Sequence, residues 1–571
     1  MNILQLIDKR IRQVNFLLFF SIFCGFFLKF ILIFTHKIGW DEFHFLSKIY
    51  TFRRGELSQP FQNFHIHFLG WLPMVSDNEV IQIIAARAIL FLLFLASGYL
   101  LYRIARHFVN RTGALFAVLC WVSFSNVILH AASLRYDSFC SFFFLLACFV
   151  LLKENGARFW SAIAGIAMGI SLLISLKAAI HVGSLVTLFL TLGIFSERKM
   201  PIFHKGALFL ALMALTFALG FTLHQNSLPL ATTASQQTFV QHAAAKAFSL
   251  KEFFPRWEYF TRTLRNNPFI WSYSAVGFFF LIIDIIRGRD KKCLIALSFL
   301  PPLLSLPFYR NAFPYYYVFI ISPAIFFCGI LPHRLIEDFK KSGSNALLFL
   351  FALIYLPIVG GAGTHFLKAF NQNNKSQKEL LTVIHKMFPD PVSYIDGCFA
   401  VASYPGAGFF MSTWVMENYL ATGKPVFREI LKKKHPQFLL ANTPYLDSNF
   451  SRDHSFFKIN YDLLEEDRKT LGENYVQHCG IVLVPGKILK FKKKGEQKNF
   501  EILIPGYYFI QSDGEIIFDT KYRGTGEKII FLSGIHKVQS TKNVQKIVLR
   551  WARINDVPCP PNIATMDFFD F

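Results

Sequence analysis

About eleven apolar runs long enough to cross a bilayer constrain this chain more than any other feature. They lie near 15–34, 80–102, 113–130, 138–152, 159–176, 178–195, 206–223, 268–286, 293–308, 315–331 and 345–364. A helix needs about 20 mostly apolar residues to span the hydrocarbon core. With 53% hydrophobic residues among 571 and a mean hydropathy of +0.39, an ordinary soluble domain is excluded. A polytopic α-helical membrane protein is expected. The runs at 159–176 and 178–195 have almost no loop between them and read equally well as one broken or re-entrant element. The first run is too long for a signal-peptide core and no small-residue cleavage site follows it, so it is expected to remain as a span.

A net charge of +23 raises the question of nucleic acid. The cations instead collect in short loops between apolar runs, so membrane lipid is the expected partner and nucleic acid is not. The groups are Lys9, Arg10 and Arg12; Arg103, Arg106 and Arg111; Lys153 and Arg158; Arg198, Lys199 and Lys205; Arg287, Arg289, Lys291 and Lys292; and Arg334, Lys340 and Lys341. All six fall on one side of the expected topology. The positive-inside rule makes that side cytoplasmic, with the N-terminus. Everything after about residue 365 is then extracytoplasmic, in a multi-pass membrane protein.

Three regions are expected: a transmembrane region over 1–365, an α/β region over 366–494 and a β-rich region over 495–571. Short strands are read at 392–396, 437–441 and 479–484, with a helix ending in Lys432, Lys433 and Lys434 between the first two. Alternating runs at 500–504, 507–511, 515–518, 528–532 and 544–551, separated by turn residues, read as a compact antiparallel β unit. Six of the nine cysteines lie in apolar runs, where Cys behaves as a small hydrophobe. Cys398, Cys479 and Cys559 lie in the polar part, where one disulfide and three free thiols are both open. The basic run at Lys490 and Lys492 to Lys494 reads as a solvated face or as an attractor of anionic lipid.

Chemistry is concentrated beside the spans. Asp41 and Glu42 sit at the mouth of the first one, followed by an amphipathic pattern over 42–56 that reads as an interfacial helix. A carboxylate is a weak base in water; burial at a bilayer edge, or a second acid nearby, raises its pKa to a useful value. Asp137 opens a span on the same expected face, beside Arg135, and is the second acid. Each acid also suits a helix N-terminus. Arg310, amid Tyr309, Tyr315, Tyr316 and Tyr317, and Lys177 are candidates for holding a phosphate through charge-assisted hydrogen bonds. His65 and His67 read as substrate or interface contacts rather than as a metal pair.

A first span followed by Asp41-Glu42, an amphipathic helix and a second loop with Arg135-Tyr136-Asp137 resembles the GT-C superfamily of integral-membrane glycosyltransferases. The likeness is to its bacterial branch: the aminoarabinose transferase acting on lipid A, the lipopolysaccharide-core galacturonosyltransferases, and relatives of the protein O-mannosyltransferases. Residues 39–89 look like the branch's acidic motif, His-containing loop and Arg-bearing span, here Arg87; 310–323 look like its late loop running into a span with a central proline. The resemblance covers roughly residues 15–365. It implies transfer of a sugar, with inversion, from a polyprenyl-phosphate donor such as undecaprenyl phosphate to an envelope glycan or glycolipid. Asp41 is then the leading catalytic carboxylate, with Glu42 and Asp137 beside it, and Arg310, Lys177, Arg135, His65, His67 and Tyr315 as substrate contacts. No cofactor is implied with certainty; a divalent metal is left open. The Trp-Trp-Asp motif of oligosaccharyltransferases is absent, which disfavours N-glycosylation. Protein hydroxyls are the alternative acceptor, and a transporter is the rival of another class.

Overall fold

The computed structural model describes all residues except 1–2, 154–157, 196–198, 230–246, 249–252, 289–291, 343–344, 448–461, 544, 556, 561–563 and 570–571. Arg198, Arg289 and Lys291 of the basic loops, and much of the 224–267 loop, therefore lie outside the described residues. The chain divides into two units. One contains Met1–His36, Phe52–Trp71 and Ile84–Asn373; the other contains Lys37–Thr51, Leu72–Ile83 and Asn374–Phe571.

The first unit is helical. Among the described residues, seven helices are long and apolar enough to cross a membrane: Ile7–Thr35, Glu79–Phe108, Leu176–Ile194, Ile202–Asn226, Pro268–Ile286, Tyr316–Ser342 and Leu348–Phe370. The structure does not yield eleven such helices. Arg111–Ser123, Tyr136–Leu151 and Arg158–Ile174 are apolar but shorter. The run near 293–308 breaks into the short helices Lys292–Ala296, Leu297–Phe299 and Pro301–Leu304, because Pro301 and Pro302 cannot donate to a continuing helix. Phe16, Phe19, Phe20, Phe23 and Phe27 of the first helix stand exposed, as they must if lipid rather than water is the solvent.

Close approach between helices depends on small residues here, since lipid gives apolar side chains no reason to leave it. A Cβ on Gly165 would lie 2.6 Å from the Phe209 carbonyl oxygen, and one on Gly169 would lie 2.6 Å from Cβ of Thr216. This Gly-x-x-x-Gly step lets Arg158–Ile174 press against the helix Lys199–Asn226. Asn110 caps Arg111–Ser123, its Oδ1 accepting from the Gly113 amide at 2.9 Å. Arg158–Ile174 ends at Ser175, which is extended (φ −155°, ψ 128°), and a single 3₁₀ turn, Leu176–Ala178, precedes the next helix. Two helices thus follow one another with only this turn between them, and the turn carries Lys177.

The second unit holds the strands β1 (Tyr394–Ile395), β2 (Phe438–Leu440), β3 (Tyr475–Cys479), β4 (Val482–Phe491), β5 (Gln497–Ile502), β6 (Gly506–Ser512), β7 (Ile516–Phe518), β8 (Lys521–Arg523), β9 (Lys528–Phe531), β10 (Gly534–Ser540) and β11 (Gln545–Trp551). Seven form a sheet in the order β1-β2-β4-β11-β6-β9, with β3 also on β4; β5-β10-β7-β8 form a second sheet. Among the described residues β1 and β2 pair in parallel, and the other strand pairs are antiparallel. Phe531 joins the two sheets, its ring 5.8 Å from Tyr508 on one side and 5.7 and 5.4 Å from Phe500 and Phe518 on the other. Cys479 and Cys559 form a disulfide, and Cys398 is free and buried.

The helix Trp40–Arg53 belongs mainly to this second unit, and the apolar stripe read as a lipid-facing surface is taken by protein. Phe43, Leu46 and Ile49 are fully buried, each contributing about 2 kcal/mol of apolar burial. Trp40 packs on Phe410 and Phe569 at 5.2 and 5.1 Å, and Phe43 on Phe568 at 5.8 Å.

Glu79 is fully buried in the same unit, held by the amide and hydroxyl of Ser403 (3.2 and 2.7 Å) and by Nε2 of His385 (3.0 Å). Burial alone would lower the His385 pKa; the hydrogen bond and charge of Glu79, helped by Asp77, outweigh it and hold the pKa above the usual 6.5. A raised folded pKa stabilises fully below the unfolded value and ceases to do so as pH rises through the folded one. Asp396, raised to about 6, loses its own contribution lower on the pH scale, and Lys487, lowered to about 8, acts above it and in the opposite direction. Raising pH through 6.5 should therefore lower the protection of amides along the helix Lys375–Met387, once the intrinsic base-catalysed rise in exchange is divided out. His385→Gln should flatten that dependence; an unchanged pH slope in the variant would rule the clasp out as its source.

Candidate functional site

Four residues singled out from the sequence meet in the first unit. Arg135 is extended (φ −147°, ψ 156°) and ends the loop before Tyr136–Leu151, so Asp137 falls in that helix's first turn. There the positive helix end favours a carboxylate. Asp137 is only 1% exposed. Its Oδ1 lies 2.5 Å from Nζ of Lys177 and its Oδ2 3.5 Å from Nε of Arg135. The Arg135 guanidinium stacks on the Tyr315 ring at 3.4 Å, and Lys177 Nζ lies 5.9 Å from the same ring and 5.6 Å from Phe319. The break at Ser175 is what allows Lys177 to reach: a continuous helix would bond its backbone in register and turn the side chain elsewhere.

The loop containing His65 borders this cluster. Tyr136 donates its hydroxyl to the Gln62 carbonyl, and the His65 ring lies 5.7 Å from the Tyr136 ring. His67 is turned to a different neighbour, its Nε2 2.8 Å from Nδ1 of His224. Arg310 is fixed through its backbone, which donates to the Ala247 carbonyl and accepts from Nε of Arg256, both at 2.9 Å. Among the described residues, no side-chain hydrogen bond or ion pair links Arg310 to Asp137.

A second group of cations lies close by. Lys29, 4% exposed inside the first span, donates to the Ile128 and Leu129 carbonyls at 2.5 and 3.3 Å, near the end of the helix Ser125–His130. Arg87 donates to the His36 carbonyl at 2.9 Å, and Nδ1 of His36 lies 2.9 Å from the Ala369 carbonyl oxygen. His130 interacts electrostatically with Arg135, Lys29, His36 and Arg87. The sequence reading passed over Lys29. Its signal was present, since a lysine within a span is costly and commonly functional.

Asp41 and Glu42 open the helix of the second unit. Glu42 is buried and its Oε1 accepts from the Gly39 amide at 3.0 Å, capping the helix start. Upstream, Gln377 clamps Ile38 with paired 2.8 Å bonds. Asp41 is half-exposed, and its charge acts on the Cys398 thiol. Beside that thiol Asp396 ends β1, accepting from the Phe399 and Ala400 amides at 2.9 and 2.7 Å and from Nδ2 of Asn442 at 3.0 Å. Burial pushes the Asp396 carboxyl up to about 6. Among the described residues, no three His, Cys, Asp or Glu side chains gather as a metal site.

No protein-family model matches the chain, and no curated protein matches it. Solved structures do. The apo oligosaccharyltransferase of Archaeoglobus fulgidus aligns over 91% of this chain and 76% of its own, at 11% identity and a TM-score of 0.53. The same organism's oligosaccharyltransferase AglB, in complex with an inhibitory peptide and a dolichol-phosphate, aligns over 91% and 76% at 11% identity and a TM-score of 0.52. ArnT from Cupriavidus metallidurans, bound to undecaprenyl phosphate, aligns over 74% of this chain and 92% of its own at 14% identity and a TM-score of 0.50. Identities this low speak to architecture alone: the chain shares its fold with these oligosaccharyltransferases and with ArnT.

Proposed function

We propose that this chain is a glycosyltransferase that takes a sugar from a polyprenyl-phosphate donor and moves it, with inversion, to a lipid-linked envelope glycan such as lipid A or lipopolysaccharide core. The observation that carries the reading is the buried Asp137–Lys177–Arg135 cluster, set around the turn that carries Lys177 and backed by the Tyr315 ring. Buried charges are costly unless a function or a partner keeps them. Cations held ready in an apolar unit suit a phosphate that arrives on a lipid tail. AglB and ArnT, which share the fold, have been solved with dolichol-phosphate and undecaprenyl phosphate respectively.

In this mechanism a carboxylate takes the proton from an acceptor hydroxyl as its oxygen attacks the anomeric carbon, the role proposed for Asp41 from its place in the sequence just after the first span. The bond from that carbon to the phosphate oxygen breaks, and the polyprenyl phosphate leaves with the electron pair as a stable anion needing little protonation. Lys177 and Arg135, with Lys29 and Arg87 near them, supply the positive field for that anion. Asp137 orders two of the cations rather than abstracting the proton, Glu42 fixes the helix that carries Asp41, and Arg310, His65, His67 and Tyr315 line the substrate path. The protein sits in a bacterial inner membrane with its N-terminus in the cytoplasm and residues after 365 outside. Purified protein given a polyprenyl-phosphate sugar and membrane glycolipids should raise one glycolipid mass by one sugar. The same product should vanish from envelopes of cells lacking the gene. Uptake of sugar into vesicles with no transfer would replace this reading with a transporter; a sugar on protein hydroxyls would change the acceptor.

A further inference from the structure

The seven-stranded sheet of the second unit has one face turned to the other sheet and one turned away. Tyr508, Ile510, Ile547, Leu549 and Trp551 are buried on the inner face. Strand pairing fixes what shares the other. Val548 lies opposite both Ile488 and Gln511, Arg550 opposite Phe509, Phe509 opposite Lys528, and Tyr507 opposite Ile530. Lys490 and Lys546 complete the register. Ile488, Tyr507 and Phe509 are exposed, Ile530 is 57% exposed, and Leu532, which continues its alternation past the strand end, is 70% exposed. Lys528 and Arg553 stand over the Tyr507 ring at 4.7 and 5.8 Å.

This pattern is selective. The face carries the cations Lys490, Lys528, Lys546 and Arg550, Arg553 stands at its margin, and none of these register positions holds a carboxylate. Its other exposed groups are aliphatic or aromatic, and Gln511 is its one side-chain amide. A sugar-binding platform needs aromatic rings together with several amides and acids that accept from hydroxyls; this face offers Gln511 and the Tyr507 hydroxyl and no acid among these register positions. Aliphatic side chains flanked by cations, with a tyrosine between, match a phospholipid headgroup layer instead, where cations meet phosphate and apolar groups enter below it. Exposed apolar surface of this kind on a folded unit marks an interaction site.

We infer that the outer face of the β4-β11-β6-β9 sheet docks on an anionic phospholipid surface, held by Lys490, Lys528, Lys546 and Arg550 and by insertion of Ile530 and Leu532. The inference is independent of the glycosyltransferase reading. The test uses the full chain in phosphatidylcholine nanodiscs, mixed with phosphatidylcholine vesicles with or without phosphatidylglycerol, and reads co-flotation. Binding is expected only with phosphatidylglycerol, and should fall steeply as salt rises. The double variant Lys528→Ala, Lys546→Ala should weaken it by about tenfold or more, and Leu532→Ser should weaken it without changing the salt dependence. The salt titration needs no variant, so misfolding cannot obscure the result. Equal binding to neutral vesicles, none to anionic ones, or variants that bind as wild type would overturn the proposal. So would capture by a soluble polyuronate in place of vesicles, which would assign the face to an anionic glycan.

Discussion

Replacing Asp41 with asparagine should slow sugar transfer by about 10²–10⁴-fold, the range general-base catalysis commonly supplies. The fold should tolerate the change. Asp41 is half-exposed, and it is Glu42 that accepts from the Gly39 amide and caps the helix. Asparagine has the same shape, and removing the charge relieves its action on the Cys398 thiol. Any loss of stability should therefore be small beside the loss of rate. Glu42→Gln should behave in the opposite way. It keeps an acceptor for Gly39 but weakens a charge-assisted cap, so about 0.5–2 kcal/mol of stability should go with a smaller rate loss. Initial rates with a polyprenyl-phosphate sugar, alongside thermal unfolding, separate the two effects. Full transfer by the Asp41→Asn protein would remove Asp41 from the chemistry.

Hydropathy revealed the helical unit because lipid imposes a length and a composition on each span. Arg111–Ser123 and Tyr136–Leu151 are apolar yet shorter than a full span, since burial among neighbours needs the same residues without the same length. Period-two alternation exposed most strands. It missed β8, nearly all of β3, and β10, where Ile535 and Lys537 share the outward side and His536 and Val538 the inward side, so the apolar contrast cancels. The helix Trp40–Arg53 was legible as amphipathic, but what covers it was not: Phe410, Phe568 and Phe569 lie more than 350 residues along the chain. The site followed the same division. Arg135, Asp137, Lys177 and Tyr315 each stood out as polar or aromatic groups at span ends. That they share one cluster depends on the Ser175 break and on packing between distant helices, which no local pattern encodes. Lys29 was hidden because one lysine barely changes the average over a phenylalanine-rich run.

The Asp137–Lys177 pair offers the second large effect, and it can separate stability from chemistry. Lys177→Met leaves a carboxylate 1% exposed with only the longer 3.5 Å contact to Arg135. Breaking a buried pair from one side costs about 3–5 kcal/mol, because the remaining charge keeps its desolvation penalty and loses its compensation. Asp137→Asn should cost a similar amount by leaving Lys177 and Arg135 facing each other. The double variant removes one charge of each sign, and Arg135 retains the Tyr315 face at 3.4 Å. Its loss of stability should fall short of the sum of the two single losses by about 1–3 kcal/mol, the coupling expected of direct contacts. Thermal unfolding in detergent would read that cycle. Activity should not follow it: with Lys177 absent, the departing phosphate loses a cation that no repacking restores, so the double variant should regain part of the stability and none of the rate. A double variant that recovers both stability and rate would make the pair a packing device alone and leave the phosphate to Lys29 and Arg87.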